Sequence, residues 1–167
     1  LLSDKSYYLA LLKRDSEAIS IANKSIEINP KYIPAWINLS NAYQEQKSYE
    51  LALNAINNAI ELDQNISIAW SNKSNTLISL RRYKEAVEAA TKAIEIDNNN
   101  SSAYSNLGLS QMSISNNEEG IKSINKALEI IEASVLFNLK SEQIEILDKK
   151  VDLIKKAEWD IEVSSSK

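Results

Sequence analysis

The amino-acid sequence repeats itself with a period of 34 residues. When Ile33–Ile66, Ser67–Asn100 and Ser101–Ser134 are set beneath one another, Trp36, Trp70 and Tyr104 share a column, as do Ser40, Ser74 and Gly108. Ala52, Ala86 and Gly120 form a third column; Ala59, Ala93 and Ala127 form a fourth. One further step back brings Ser6, Ala18 and Ser25 into the small-residue columns, with Leu2 at the aromatic position. A fixed period of this length means that one supersecondary unit is stacked on copies of itself, because a single unit cannot bury its apolar face alone. The units read as residues 1–32, 33–66, 67–100 and 101–134.

Each unit is expected to be helical. Only two Gly and two Pro punctuate 167 residues, and the periodic positions are filled by Ala, Leu, Ile, Glu and Lys, which suit helices better than strands. Turn residues near Lys13–Asp15, Lys47–Ser48, Arg81–Arg82 and Ser115–Asn117 divide each unit into two helices. The small columns then let paired backbones approach, while Trp36, Leu39, Tyr43, Ile56 and Ile60 fill the groove between hairpins.

The column set aromatic, Leu, small, Tyr, Ala, apolar, Ala, carried here by Trp36, Leu39, Ser40, Tyr43, Ala52, Ile56 and Ala59, resembles the tetratricopeptide repeat. The resemblance spans residues 1–134 and implies an all-α fold: a right-handed α-solenoid of four helix-turn-helix hairpins. Lys73 departs from the pattern where Leu is expected, Gln111 where Tyr is expected, and the proline that follows the second helix survives only as Pro30. A lysine at that place can run its stem along the groove and carry its charge past it.

After Ser134 the columns fail, since Asn138 and Ser141 stand where an aromatic and a Leu belong. A helical pattern nevertheless continues through residues 135–163, with Ile144, Leu147, Val151, Ile154 and Ile161 on one stripe. This segment is expected to cap the groove of the fourth unit, as solenoid ends require. An oligomer seam, a docking helix and a break near Asp148 are alternatives, and residues 164–167 read as a disordered tail.

The residue inventory gives an enzyme little to work with. There is no His and no Cys, and Gly108 and Gly120 do not form a phosphate loop, so no catalytic residue, cofactor or metal is expected. The net charge of −4 is spread along the chain, which argues against nucleic acid as a partner. No stretch is long and apolar enough for membrane insertion. The N-x-[ST] triplets include Asn38 and Asn72 inside helices, where glycans would block the face discussed next; a cytoplasmic location is expected on that ground. The chain starts at Leu1 and not at Met, which leaves a removed leader compatible with the sequence.

In the family that the repeat resembles, the first helix of each hairpin lines the concave face. Asn38, Asn72 and Asn106 stand there in one column, and Asn41 and Asn75 stand three residues further along. An amide both donates and accepts, so such a ladder can satisfy the backbone of an extended peptide without reading its side chains. Tyr7, Ile37 and Ile68 add apolar surface. Peptide-binding superhelices of the family use asparagines in this way, so the resemblance implies a scaffold or adaptor for a protein or weakly charged peptide partner. The bland alternative is that Asn is simply frequent in this composition. The family's clamp for heat-shock chaperone C-terminal tails asks for Lys and Asn on the first inner helix, Asn on the second, and Lys and Arg on the third. This chain offers Ser3, Tyr7, Asn38, Ile68 and Asn72 in one frame and Ile37, Asn41, Asn72, Ser102 and Asn106 in the next, which argues against that ligand. A self-assembling homo-oligomer and an accessory segment of a larger enzyme are the competing functional readings.

Overall fold

In the computed structural model the described residues are Ser6 and 15–138, and among them every regular element is an α-helix. The helices are α1 (Asp15–Ile28), α2 (Ile33–Glu45), α3 (Tyr49–Leu62), α4 (Ser67–Ser79), α5 (Tyr83–Ile96), α6 (Ser101–Ser113) and α7 (Asn117–Asn138). The chain divides into two compact units, Leu1–Ile130 and Ile131–Lys167. Of the second, the described part is the end of α7, where Ile131, Val135 and Phe137 are exposed. Helix α7 runs unbroken through the 134/135 boundary that the columns suggest. Tyr7 and the segment from residue 139 onward, with most of the expected capping helix and the tail, lie outside the described residues.

The first unit is a stack of helical hairpins. Helices α2 and α3, α4 and α5, and α6 and α7 are joined by turns whose central residue has positive φ: Lys47 at 62°, Arg81 at 58° and Ser115 at 68°. In each turn two backbone bonds close the end of the first helix, such as Ser48 N–H to Tyr43 O at 2.8 Å and Lys47 N–H to Gln44 O at 2.9 Å. Arg82 N–H to Leu77 O and Asn116 N–H to Gln111 O repeat the longer bond at 2.9 Å. This is the Schellman motif, which satisfies the last carbonyls of a helix and is usually built with Gly at the left-handed position. The junctions between hairpins are equally regular. Asn29, Asp63 and Asp97 each accept at Oδ1 from the backbone N–H two residues on, at 3.1, 2.8 and 2.9 Å. Trp36 and Trp70 donate their indole N–H to the carbonyls of Pro30 and Gln64 at 2.8 Å, tying α2 and α4 to the junctions before them.

Inside the hairpins the small columns act as close-packing points. Ser6, Ser40 and Ser74 donate from Oγ to the carbonyls of Ala18, Ala52 and Ala86 at 2.8, 2.9 and 2.8 Å, each bond buried and spanning twelve residues. The fourth hairpin has Gly108 opposite Gly120 instead, and a Cβ built at Gly108 would sit 2.7 Å from the Gly120 carbonyl oxygen. There the backbones meet directly, and Ser123 Oγ to Gln111 Oε1 at 2.8 Å supplies the cross-helix bond. Between hairpins, Leu53, Ile56 and Ile60 of α3 pack with Ala69 and Leu77 of α4 and Ala86 and Ala89 of α5, flanked by Trp36 and Trp70. The core is therefore spread along the stack, one layer per interface, as repeat architectures require.

Candidate functional site

Helices α3 and α5 pack on the first helices of their own hairpins, α2 and α4, and α1, α3 and α5 pack on the first helix of the next hairpin, while the first helices also touch one another, α2 against α4 and α4 against α6. The stack of the first unit is thus tight on the side of α2, α4 and α6, and that side carries the described candidates: Ile37, Asn38 and Asn41 on α2, Ile68, Asn72 and Asn75 on α4, and Asn106 on α6. Asn38, Asn41, Asn72 and Asn106 are half-buried and Asn75 is exposed. Ile37 packs against the edge of the core, whereas Ile68 is 56% exposed.

The asparagines do not all stand clear of the protein. Asn72 Nδ2 donates to Asn41 Oδ1 at 2.9 Å, and Asn106 Nδ2 donates to the Ser71 carbonyl at 3.0 Å. Both bonds run from one inner helix to the one before it. A second tie lies beside them, where Thr76 Oγ1 donates to Gln44 Oε1 at 2.9 Å and Gln44 Nε2 reaches Ser79 Oγ at 3.3 Å. Asn100 forms a third: its Oδ1 accepts from Ala103 N–H at 3.0 Å as the cap of α6, and its Nδ2 donates to Ser67 Oγ at 2.8 Å. The uncharged inner face is thus stitched laterally, and each stitch holds one amide in a fixed orientation. Thr76, Ser79 and Asn100 escape the column search because their partners sit about one period away on a different column.

Between α4 and the start of α6 the surface opens into a pocket of about 400 Å³. Ile68, Ser71 and Asn72 line one side; Asp97, Asn99, Asn100, Ser101 and Ser102 line the other. Its lining holds one carboxylate and no cation, so an anionic group entering it would meet no counter-charge. Charge is concentrated on the second helices instead. Arg82 and Glu85 form a two-point pair at 2.7 and 2.6 Å, a hydrogen bond that raises the guanidinium pKa and lowers that of the carboxyl. Lys73 of α4 faces the groove of its own hairpin, half-buried, with its ammonium 5.2 Å from the centre of the Trp70 ring. Burial pushes its pKa below the ordinary lysine value.

Among the described residues no group of His, Cys, Asp and Glu could hold a metal ion, and no helix is long and apolar enough to cross a membrane. What the geometry defines is a helical-hairpin repeat with a laterally bonded, uncharged inner face. Sequence models described as Tetratricopeptide repeat match residues 21–54, 68–100 and 101–134. The chain belongs to the tetratricopeptide repeat family. No curated protein matches it by sequence. Among solved structures it is similar to the crystal structure of MamA, with a TM-score of 0.72 and 23% identity over 80% of this chain and 78% of that one. It is also similar to MamA 41-end from Desulfovibrio magneticus RS-1, with a TM-score of 0.70 and 17% identity over 79% and 75%. The first TPR of Spaghetti (RPAP3), bound to the HSP90 peptide SRMEEVD, matches with a TM-score of 0.66 and 22% identity over 68% and 90%. At such identities these likenesses concern the fold.

Proposed function

We propose that this chain is a protein-interaction scaffold whose inner face holds an extended, weakly charged peptide along the Asn38, Asn72 and Asn106 column. The observation that carries the reading is the fixing of that column. Asn72 and Asn106 each use one amide hydrogen on the preceding inner helix, and Asn72 lines a roomy polar pocket together with exposed Ile68. Pre-set hydrogen-bonding groups lose little side-chain entropy on binding, which favours recognition of a peptide backbone. No chemistry of its own is assigned to the chain, in keeping with a family of generally non-catalytic interaction modules. A cytoplasmic setting goes with this reading, because glycans at Asn38 and Asn72 would cover the face.

The test is to select ligands from a random peptide library and measure their affinity for wild type and for Asn38→Ala/Asn72→Ala. Loss of two or so hydrogen bonds weakens binding by about tenfold. Because Asn72 also ties α4 to α2, Thr76→Val serves as the control: it breaks the neighbouring tie to Gln44 and leaves affinity unchanged. Equal affinity of the double variant and wild type would refute the ladder. Selected peptides that all end in an acidic cluster with a free carboxylate would refute the neutral-ligand reading.

A second reading, self-assembly, is favoured by Ile121 and Leu128 on α7. They are 52% and 51% exposed, whereas Leu53 and Ile60 in the same columns are 6% and 7% exposed beneath the next hairpin. Light scattering on wild type and Ile121→Glu decides it, since a wild type that stays monomeric at high concentration removes this reading.

A further inference from the structure

The column that holds Leu39 in the second hairpin, 5% exposed, holds a lysine in the third. The groove there is correspondingly unfilled. A cleft of about 290 Å³ lies between α4 and α5, lined by Trp70, Lys73 and Leu77 on one side and by Glu85, Glu88, Ala89 and Lys92 on the other. Lys73 therefore combines three properties: it is half-buried against Trp70, it has space beside its side chain, and no carboxylate lies in ion-pair contact with it. Three other lysines of the stack are held differently. Lys92 bonds Glu95 at 2.8 Å, Lys126 bonds Glu129 at 2.9 Å, and Lys122 bridges Glu118 and Glu119 at 3.1 and 2.9 Å. Those carboxylates hold Lys122 and Lys126 in the ammonium form and raise their pKa, whereas burial lowers that of Lys73 despite the pull of Glu85. Partial desolvation favours the neutral amine, which is the nucleophilic form of a lysine.

We propose that Lys73 is an acyl-acceptor lysine, and that its acylated, neutral side chain seats in the cleft between α4 and α5 as the apolar filling that Leu39 provides one hairpin earlier. The donor class is an acyl thioester. The neutral Nζ attacks the acyl carbonyl carbon, the C–N bond forms as the C–S bond breaks, and the departing thiolate takes up the proton lost from nitrogen. No oxidation occurs, and the products are an amide and a free thiol. The charge that opposed burial is thereby removed, and the lengthened side chain meets Trp70, Leu77 and Ala89 instead of water.

The experiment incubates the full chain with acetyl-coenzyme A at mildly alkaline pH and follows each lysine by peptide mass spectrometry. Lys73 is expected to be acetylated several-fold faster than Lys92, Lys122 or Lys126; an equal or slower rate overturns the proposal. In parallel, the chain carrying Nε-acetyl-lysine at position 73 is compared with wild type and with Lys73→Arg in thermal denaturation. The acetylated chain is expected to melt above both. A melting temperature at or below that of wild type overturns the seating of the acyl group even if labelling is selective.

Discussion

Replacing Gly108 by Ala tests whether the fourth hairpin is held by direct backbone contact. In an open helix interior this substitution stabilises by about 1 kcal/mol, because Ala has the higher helix propensity. Here the new Cβ would lie 2.7 Å from the Gly120 carbonyl oxygen and 2.7 and 2.8 Å from Cγ1 and Cδ1 of Ile124. Ile124 can rotate away. The carbonyl belongs to the backbone of α7, so α6 and α7 must separate by something on the order of 0.5 Å to restore van der Waals spacing. Overpacking of this kind costs about 1–3 kcal/mol, and an obstructing backbone atom places the cost in the upper half of that range. After the propensity gain is subtracted, the net loss is about 1–2 kcal/mol. Urea titration followed by far-ultraviolet circular dichroism reads this as a midpoint lowered by roughly 0.5–1 M at an ordinary denaturant slope. A midpoint equal to or above that of wild type would refute the close-contact argument. A double variant, Gly108→Ser with Gly120→Ala, rebuilds the Ser74–Ala86 pair of the third hairpin, including its hydroxyl-to-carbonyl bond. It is expected to cost less than the sum of its single changes, because one shared adjustment in spacing accommodates both.

The left-handed turn residues give the opposite sign: Lys47→Gly and Arg81→Gly remove Cβ strain at φ 62° and 58° and are each expected to stabilise by about 0.5–1 kcal/mol. Thermal denaturation checks this, and an unchanged or lower melting temperature would show that the turns carry no such strain. Lys73 sets a pH dependence. Its folded-state pKa is depressed by burial below the ordinary 10.5, so the unfolded chain holds the proton more tightly. Stability therefore rises with pH between the folded and unfolded values, and at lower pH the penalty of burying the charge is fully present. Lys73→Met lacks that penalty, so its advantage in melting temperature over wild type is expected to be largest near neutral pH and to shrink toward about pH 10.5. A constant difference across that interval would refute the assignment.

How far the sequence discloses this protein depends on the distance over which its residues act. Columns that act within one hairpin were legible. Ser40 with Ala52 and Ser74 with Ala86 are small because two backbones meet there, and the period reveals them without coordinates. Gly108 and Gly120 occupy the same columns, yet the change from a bonded Ser–Ala pair to bare backbone contact needed the helix separation. Similarly, Asn29, Asp63 and Asp97 stand out as a recurring unit ending, while their work as acceptors in the junction turns is visible only in the bonds they make. The inner-face asparagines are the hardest case. A column of amides satisfies the sequence criterion for a peptide ladder and equally that for a lateral stitch, because the chemistry is the same and only the partner differs. The bond from Asn72 to Asn41 joins residues 31 apart, and that from Asn106 to the Ser71 carbonyl joins residues 35 apart, so neither follows the 34-residue column on which the search is built. These departures from the period are set by how far each inner helix slides along its neighbour, a packing variable with no signature in any single repeat. The two roles are compatible in one side chain, since an amide has two hydrogens and an acceptor oxygen, and the stitch engages one hydrogen. It follows that any ligand gripping Asn72 takes the hydrogen and the oxygen that the stitch leaves over, in the orientation that Asn41 has already imposed.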